Sequence, residues 1–183
     1  MSNIKNPIEN EFETLNGEFI FLLDTRPEDY FDAVMEITKL MSSRGKGVYV
    51  IVSRPYRFIL NEMQRRKINT DNILFLDCIS SMAGEHGDSS CKYVESPAAL
   101  EEIGMHIGLL LDKIESKEKF LILDSISALL IYNSKNSLKE FSMFLINRLR
   151  LEKVTGVLVI IEKEIPDDLK QILIAMCDKV IYV

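Results

Sequence analysis

Three aspartates follow directly on apolar runs that have the composition of buried strands: Asp24, Asp77 and Asp124. Open α/β sheets bind ligands at the carboxyl ends of their strands, where side chains from several strands meet. Carboxylates at this edge could hold a metal ion or a small ligand. Aspartate is also common at strand ends because its side chain accepts hydrogen bonds from the next backbone N–H groups. A ligand site and a structural role therefore both remain open for each aspartate.

Other residues could also do chemistry, but their spacing gives weaker signals. Cys78, His86 and Cys91 do not have the spacing of a compact zinc motif. His106 lies at the edge of an apolar helical stripe, which favours a packed histidine over a catalytic base. The three aspartates together with Lys163 resemble the site of phospho-acceptor receiver domains, in which carboxylates hold Mg²⁺ and a lysine contacts the phosphoryl group. Receiver domains are, however, much shorter than this chain.

Six apolar runs alternate with helical patterns, which is typical of a parallel sheet covered by helices. Their Val, Ile and Leu residues are consecutive, which indicates strands buried on both faces. The predicted strands are Phe19–Leu23, Val48–Ser53, Ile73–Asp77, Phe120–Asp124, Val157–Ile161 and Lys179–Val183.

Local signals predict several helix ends and one close contact. Ser96 with Pro97, and Pro166 further on, have the pattern of residues that open helices. Gly104 and Gly108 lie four residues apart in one helical pattern, so a neighbouring element is expected to approach closely there. The polar segment 80–96 is predicted to be a long irregular loop.

The turn "DTRPEDYF" (residues 24–31) joins the first strand to the first helix and contains neither glycine nor lysine. Phosphate-binding loops at this place use glycines to expose backbone N–H groups and a lysine to contact the phosphates. Thr25 and Glu28 instead have the spacing of a capping box. Glu28, Asp29 and Asp32 suit a helix N-terminus but would repel a triphosphate there. The turn therefore predicts a capped helix without a nucleotide.

Composition limits the classes of function. The 183 residues suit one α/β domain, predicted for residues 17–183 after an irregular segment over residues 1–16. A net charge of −6, with 28 acidic and 22 basic residues, disfavours a nucleic-acid partner. No apolar run has the length of a membrane span or a secretory signal, and the three cysteines are not closely spaced. We therefore expect a cytoplasmic protein with reduced thiols and without a membrane partner.

The stretch "FLILDSISALL" (residues 120–130) has the form of a Walker B strand, in which an apolar strand presents a carboxylate to Mg²⁺. With it, the chain resembles the RecA superfamily and, within it, the KaiC-like ATPase domain, whose "DS-S-L" pattern is similar to Asp124, Ser125, Ser127 and Leu129. Further segments look like the family's other strands and helices: "GVYVIVSRPYRFILNEMQRRKINTDNILFLDC", "SPAALEEIGMHIGLLLDKI", "LINRLRLEKVTGVLVIIEKE" and "MCDKVIYV". The resemblance covers nearly all of residues 17–183.

This resemblance implies a three-layer α/β sandwich with a mostly parallel central sheet and RecA-like P-loop NTPase topology, without a functional P-loop. The family's Gly-rich loop is replaced by residues 24–31, and its paired glutamates, which activate water, are replaced by Ser53 and Arg54. Both catalytic positions are thus lost, although Arg54 could still contact an anion. The vestigial nucleotide-site positions are Asp24, Thr25, Arg26, Ser53, Arg54, Asp124 and Ser125. No cofactor and no ATP hydrolysis are expected.

Two functions follow from these observations. The first is a non-catalytic KaiC-like pseudo-ATPase that acts as a regulatory or scaffold protein, with itself or a related RecA/KaiC-like protein as partner. Family members assemble side by side, so an oligomer is expected. The alternative is a nucleotide- or metal-binding sensor or enzyme that uses the carboxylates Asp24 and Asp124 at the edge of the sheet.

Overall fold

A computed structural model of the chain describes residues 8–9, 19–85 and 87–183. The irregular segment predicted for residues 1–16 therefore lies outside the described residues, apart from Ile8 and Glu9. His86 also lies outside them.

Seven strands form one sheet in the order β4-β3-β2-β5-β6-β1-β7, and every neighbouring pair is parallel. The apolar runs of the inner strands bury side chains on both faces of the sheet, whereas the edge strands β4 and β7 each bury a single residue. The strands are β1 (Ile20–Thr25), β2 (Lys46–Ile51), β3 (Ile73–Asp77), β4 (Cys91–Tyr93), β5 (Lys119–Asp124), β6 (Thr155–Ile161) and β7 (Lys179–Tyr182).

Helices cover both faces of the sheet, which gives the three layers that the sequence predicts. The helices are α1 (Tyr30–Arg44), α2 (Tyr56–Arg65), α3 (Leu100–Asp112), α4 (Ile126–Leu130), α5 (Lys135–Leu151) and α6 (Asp167–Met176), with 3₁₀ turns at Thr70–Asn72 and Ser80–Ala83. Buried side chains of α1 and α2 form one core with one face of the sheet, while those of α3 to α6 form a second core with the other. Within the described ranges, none of the helices combines the length and apolarity that crossing a membrane requires.

The six predicted strands are present, with ends that differ by up to two residues. The segment 80–96 is not wholly irregular, because it contains the short edge strand β4. The predicted start of α3 at Ser96 and Pro97 is wrong, since the helix begins at Leu100. The Ser96 hydroxyl instead accepts a hydrogen bond from the Ala98 N–H and closes a turn before the helix.

The close approach predicted at Gly104 and Gly108 is confirmed, and α5 is the element that makes it. A Cβ atom at Gly108 would overlap the guanidinium of Arg148. An N–H of that guanidinium donates to the Gly104 carbonyl over 3.3 Å. Both glycines therefore lie at the contact between α3 and α5, and the space is tightest at Gly108.

Candidate functional site

The three aspartates lie at the carboxyl ends of β1, β3 and β5, as the sequence predicts, but Asp24 and Asp124 point to opposite faces of the sheet. Successive side chains of a strand alternate between its faces. Asp24 lies on the α3–α6 face, where it contacts Lys170 of α6. Asp124 lies on the α1–α2 face, where it contacts Tyr30 of α1. Strand β6 also separates β1 from β5. The structure therefore does not bring Asp24 and Asp124 into a joint site.

Asp124 is fully buried and both of its carboxylate oxygens accept hydrogen bonds from tyrosines. The Tyr49 hydroxyl, on β2, donates to Oδ2 over 2.6 Å, and the Tyr30 hydroxyl, on the first residue of α1, donates to Oδ1. Ser53 Oγ lies 2.9 Å from the Tyr30 hydroxyl and donates to Asp124 Oδ1 over 3.5 Å. The carboxylate is thus enclosed by hydroxyl groups of the protein itself.

Burial sets the electrostatics of this cluster. Loss of water raises the pKa of Asp124, although the hydrogen bonds from Tyr30 and Tyr49 and the charge of Arg54 act in the opposite direction. The pKa values of both tyrosines are raised, first by burial and then by the negative charge of Asp124. Both phenols therefore remain protonated donors at neutral pH.

Arg54 follows Ser53 and lies on two aromatic rings at the start of α1 and α2. Its guanidinium carbon is 4.1 Å from the ring centroid of Phe31 and 5.3 Å from that of Phe58. The two rings are 5.8 Å apart and tilted by 48°. Arg54 and Phe31 are half-buried, whereas Phe58 is 44% exposed. The arginine is therefore held by stacking at the surface of the sheet edge.

The turn between β1 and α1 is closed by the protein's own groups, but the predicted capping box is wrong. Thr25 is buried and its hydroxyl donates to the Ile160 carbonyl on β6 over 3.1 Å, while Glu28 is exposed. The helix begins one residue after Asp29, whose carboxylate pairs with Arg26. A buried hydroxyl next to a strand carbonyl bonds to it because an unpaired buried polar group is costly.

Asp24 has one satisfied and one unsatisfied oxygen. Its Oδ2 accepts from Lys170 Nζ over 2.5 Å, and this hydrogen bond raises the pKa of Lys170. Its Oδ1 is buried and has no hydrogen-bond partner among the described residues. Asp24 is thus buried and forms an ion pair with the half-buried Lys170 of α6, on the face of the sheet opposite to Asp124.

Asp77 has a structural role that its hydrogen bonds define. It is fully buried and accepts from the N–H groups of Tyr56, Ile79 and Ser80, each over 2.8 Å, and from the Ser80 hydroxyl over 2.6 Å. The carboxylate therefore ties the start of α2 to the turn after β3. Of the two roles that the sequence left open for Asp77, a ligand site and a structural role, these hydrogen bonds support the structural one.

Asp77→Asn is expected to lower the free energy of unfolding by about 2–4 kcal/mol, because an amide NH₂ group cannot accept the bonds from these N–H donors. Urea unfolding measures this loss. Asp71→Asn, at an exposed position, is the matched control and should stay within about 0.5 kcal/mol of the native chain. An equally small loss for Asp77→Asn would show that the carboxylate is not needed for the turn.

The remaining candidates do not assemble into a site. Ser125 is the N-cap of α4 and accepts from the Ala128 N–H over 3.1 Å, after a cis peptide bond to Asp124. Cys78 and Cys91 belong to different cores, and burial raises the pKa of both thiols, that of Cys91 to about 12. Lys163 lies exposed in the turn after β6. Within the described part of the chain, no three His, Cys, Asp or Glu residues form a group able to hold a metal ion.

His106 is a packed residue of α3, as its position in the stripe predicts. It lies 3.6 Å from Glu102, one helical turn away. Burial lowers its pKa, with a further contribution from the charge of Lys92.

A scan against protein-family models and a search of curated proteins found no match to this sequence. Solved structures do match. The uncharacterized protein PH0321 from Pyrococcus horikoshii, in complex with an unknown peptide, has a TM-score of 0.68 and 13% identity over 96% of this chain and 81% of its own. The flagellar accessory protein FlaH from Methanocaldococcus jannaschii has a TM-score of 0.64 and 14% identity over 99% of this chain and 76% of its own. The fold is RecA-like.

Sequence reasoning missed the tyrosines and phenylalanines that surround this edge of the RecA-like sheet. Tyr49 lies within an apolar run and Tyr30 at the start of a helix, so the sequence pattern places both only in the core. One signal could have found them: a tyrosine that is buried in a strand needs a hydrogen-bond partner for its hydroxyl. The nearest polar residue at the end of the neighbouring strand is Asp124.

Proposed function

We propose that this RecA-like chain is a non-catalytic, KaiC-like pseudo-ATPase that acts as a regulatory or scaffold protein through protein contacts. The observation that carries the proposal is the enclosure of Asp124, whose two oxygens both accept from buried tyrosine hydroxyls. A Walker B carboxylate serves Mg²⁺ only if an oxygen is free to face the metal and its water. Here the hydroxyls of Tyr30 and Tyr49 take that place.

The turn over residues 24–31 supports the same function. A nucleotide loop offers unpaired N–H groups to the phosphates. In this chain the Asp29 and Tyr30 N–H groups donate to the Arg26 carbonyl over 3.1 and 3.0 Å, and the Arg26 N–H donates to the Val183 carbonyl over 2.8 Å. Arg26 itself pairs with Asp29. The N–H groups of Arg26, Asp29 and Tyr30 are therefore used within the protein and are not offered to phosphates.

The binding free energy that the missing contacts would supply is large enough to argue against useful ATP affinity. A working phosphate loop with micromolar affinity corresponds to about −8 kcal/mol. The absent lysine and the absent hydroxyl on Mg²⁺ would each have contributed about 1.5–3 kcal/mol. Without them the dissociation constant should be millimolar or weaker. Hydrolysis is further slowed because Ser53 and Arg54 provide no carboxylate base, and a positioned base accelerates by about 10²–10⁴.

Exposed apolar side chains of the chain and the peptide complex of one structural neighbour support a role in protein contacts. PH0321 was crystallised with a peptide, although at 13% identity it shares only the fold with this chain. Several large apolar side chains are exposed on α3 and α5: Met105, Leu109, Met143 and Phe144. Such groups often mark association surfaces. We infer that residues 17–183 form one cytoplasmic domain that binds itself or a related RecA/KaiC-like protein.

Isothermal titration with Mg·ATP tests the proposal. No binding tighter than about 1 mM is expected. Asp124→Ala is the matched variant, since it removes the one carboxylate that a Walker B site would need. A dissociation constant below about 50 μM that Asp124→Ala abolishes would overturn the pseudo-ATPase and show that nucleotide reaches this edge by another route.

A further inference from the structure

Arg54, Phe31 and Phe58 form a compact surface group, which we name the Arg54 cluster. It joins the end of β2 to the first turns of α1 and α2. The guanidinium lies over both rings, at 4.1 Å and 5.3 Å from their centroids. Stacking on aromatic rings restricts the orientation of the guanidinium, so less freedom is lost when it binds a partner.

Arg54 differs from the arginines around it in having no carboxylate partner. The neighbouring arginines are each paired: Arg26 with Asp29, Arg57 with Glu85 and Arg66 with Asp32. In the described part of the chain, Arg54 forms neither an ion pair nor a side-chain hydrogen bond. Asp124 is close enough for its pKa to respond to Arg54, but its oxygens are bonded to the tyrosines. The N–H groups of Arg54 are thus left for a ligand.

The chemistry of the cluster indicates what that ligand carries. A planar guanidinium recognises a carboxylate through two parallel hydrogen bonds. The adjacent Phe58 ring, 44% exposed, offers apolar surface to a side chain beside that carboxylate. We propose that the Arg54 cluster is the docking site for a partner peptide segment that presents an aspartate or glutamate next to an apolar residue.

Charge around the cluster favours such a peptide over a nucleotide. A triphosphate would bring several negative charges close to the buried carboxylate of Asp124, which responds to the charge of Arg54. A single carboxylate matches the single unpaired guanidinium. Because the chain has a net charge of −6, a strongly polyacidic segment would also be repelled. The preferred segment therefore has few acids, flanked by neutral or apolar residues.

Because it names the chemistry of a protein partner, this docking site rests on the proposed function. The test is selection of random peptides displayed on phage against the immobilised chain, with Arg54→Gln in parallel. Enriched peptides are expected to share an acid beside an aliphatic or aromatic residue. Selected peptides are then synthesised with capped ends, and their affinity is measured by fluorescence polarisation in low and high salt. Binding should weaken with salt.

Matched variants separate the cluster from general charge effects. Arg54→Gln, and Asp→Asn or Glu→Gln in the peptide, should each weaken binding by about tenfold or more. Arg54→Lys keeps the charge but loses the planar arrangement of N–H donors. Its affinity for the peptide should therefore lie between those of Arg54→Gln and the native chain. Arg44→Gln, which removes one charge at the opposite end of α1, should leave the affinity unchanged. Urea unfolding of each variant confirms that the fold is intact.

The proposal is overturned if no peptide is enriched over the uncoated surface, if enriched peptides lack acids, or if Arg54→Gln binds them as well as the native chain. It is also overturned if Mg·ATP at micromolar concentration displaces the peptide, because the cluster would then be part of a nucleotide site. Failure of the proposed function is distinguishable: tight Mg·ATP binding would contradict it whatever peptides are enriched, whereas absent enrichment with absent ATP binding contradicts the docking site alone.

Discussion

Tyr49→Phe is expected to lower the free energy of unfolding by about 2–4 kcal/mol at pH 7, although it removes a single oxygen atom. The phenol donates over 2.6 Å to Asp124, which is fully buried. Without this donor, that carboxylate oxygen remains buried with no hydrogen-bond partner among the described residues. An unpaired buried charge costs more than an unpaired neutral group.

The loss should depend on pH in a direction that the pKa shift fixes. Burial raises the pKa of Asp124 in the folded state above its unfolded value. The stability from this group is therefore fully present below the unfolded pKa and is lost as pH rises through the folded pKa. The Tyr49 hydrogen bond limits this rise in pKa. Tyr49→Phe should accordingly cost only about 1 kcal/mol near pH 3, where Asp124 is protonated, and more at neutral pH.

Urea unfolding across this pH range measures the effect, and two variants control it. Tyr56→Phe removes a hydroxyl from another buried tyrosine that donates to no carboxylate among the described residues, so its cost should stay below about 1 kcal/mol. In the Asp124→Asn background, Tyr49→Phe should also cost only about 1 kcal/mol. Equal costs in the native chain and in the Asp124→Asn background would show that the enclosed carboxylate does not need the tyrosine.

Gly47→Ala is expected to destabilise the chain by about 3–5 kcal/mol, enough to unfold a marginal domain. Gly47 pairs with Phe120 of β5 in the centre of the sheet. A Cβ atom there would overlap both the Phe120 carbonyl oxygen and the Phe120 ring. Neither can move away easily, because the carbonyl belongs to a central strand and the ring is 1% exposed.

Thermal and urea unfolding by circular dichroism measure this loss, with Gly104→Ala as the matched control. The nearest atom to a Cβ at Gly104 would belong to the Phe144 ring, at 3.3 Å. That ring is half exposed and can shift, and alanine favours a helix interior by about 1 kcal/mol. Gly104→Ala should therefore stay within about 1 kcal/mol of the native chain. Similar stabilities for the two variants would contradict the strand contact at Gly47.

The sequence by itself predicted the architecture because the signals for it are local. Consecutive apolar residues such as Val48–Val52 indicate strands buried on both faces, and the turns and helical stripes between them require a parallel sheet. The positions of Asp24, Asp77 and Asp124 at strand ends follow directly from these runs. The close approach at Gly104 and Gly108 is also predictable, because a glycine in a helix interior is costly unless a neighbour needs the space.

Helix caps and short strands were predicted less well because distant groups compete for the same donors and acceptors. Thr25 has capping-box spacing, yet its hydroxyl bonds Ile160, which is 135 residues away in the chain. Ser96 closes a turn and leaves the helix to begin at Leu100. Strand β4 has three residues and gives no period that the sequence could reveal.

Only the tertiary structure decided the chemistry of the sheet edge. Which face a strand-end side chain occupies depends on the strand's register and on the helices that cover it, and a shift of one residue reverses it. This is why Asp24 and Asp124 look equivalent in the sequence, although one pairs with Lys170 and the other with Tyr30 and Tyr49. The enclosure of Asp124 draws on α1, β2 and β5 together. No local sequence pattern predicts that these side chains come together, because the contact forms only when the sheet and its helices have packed.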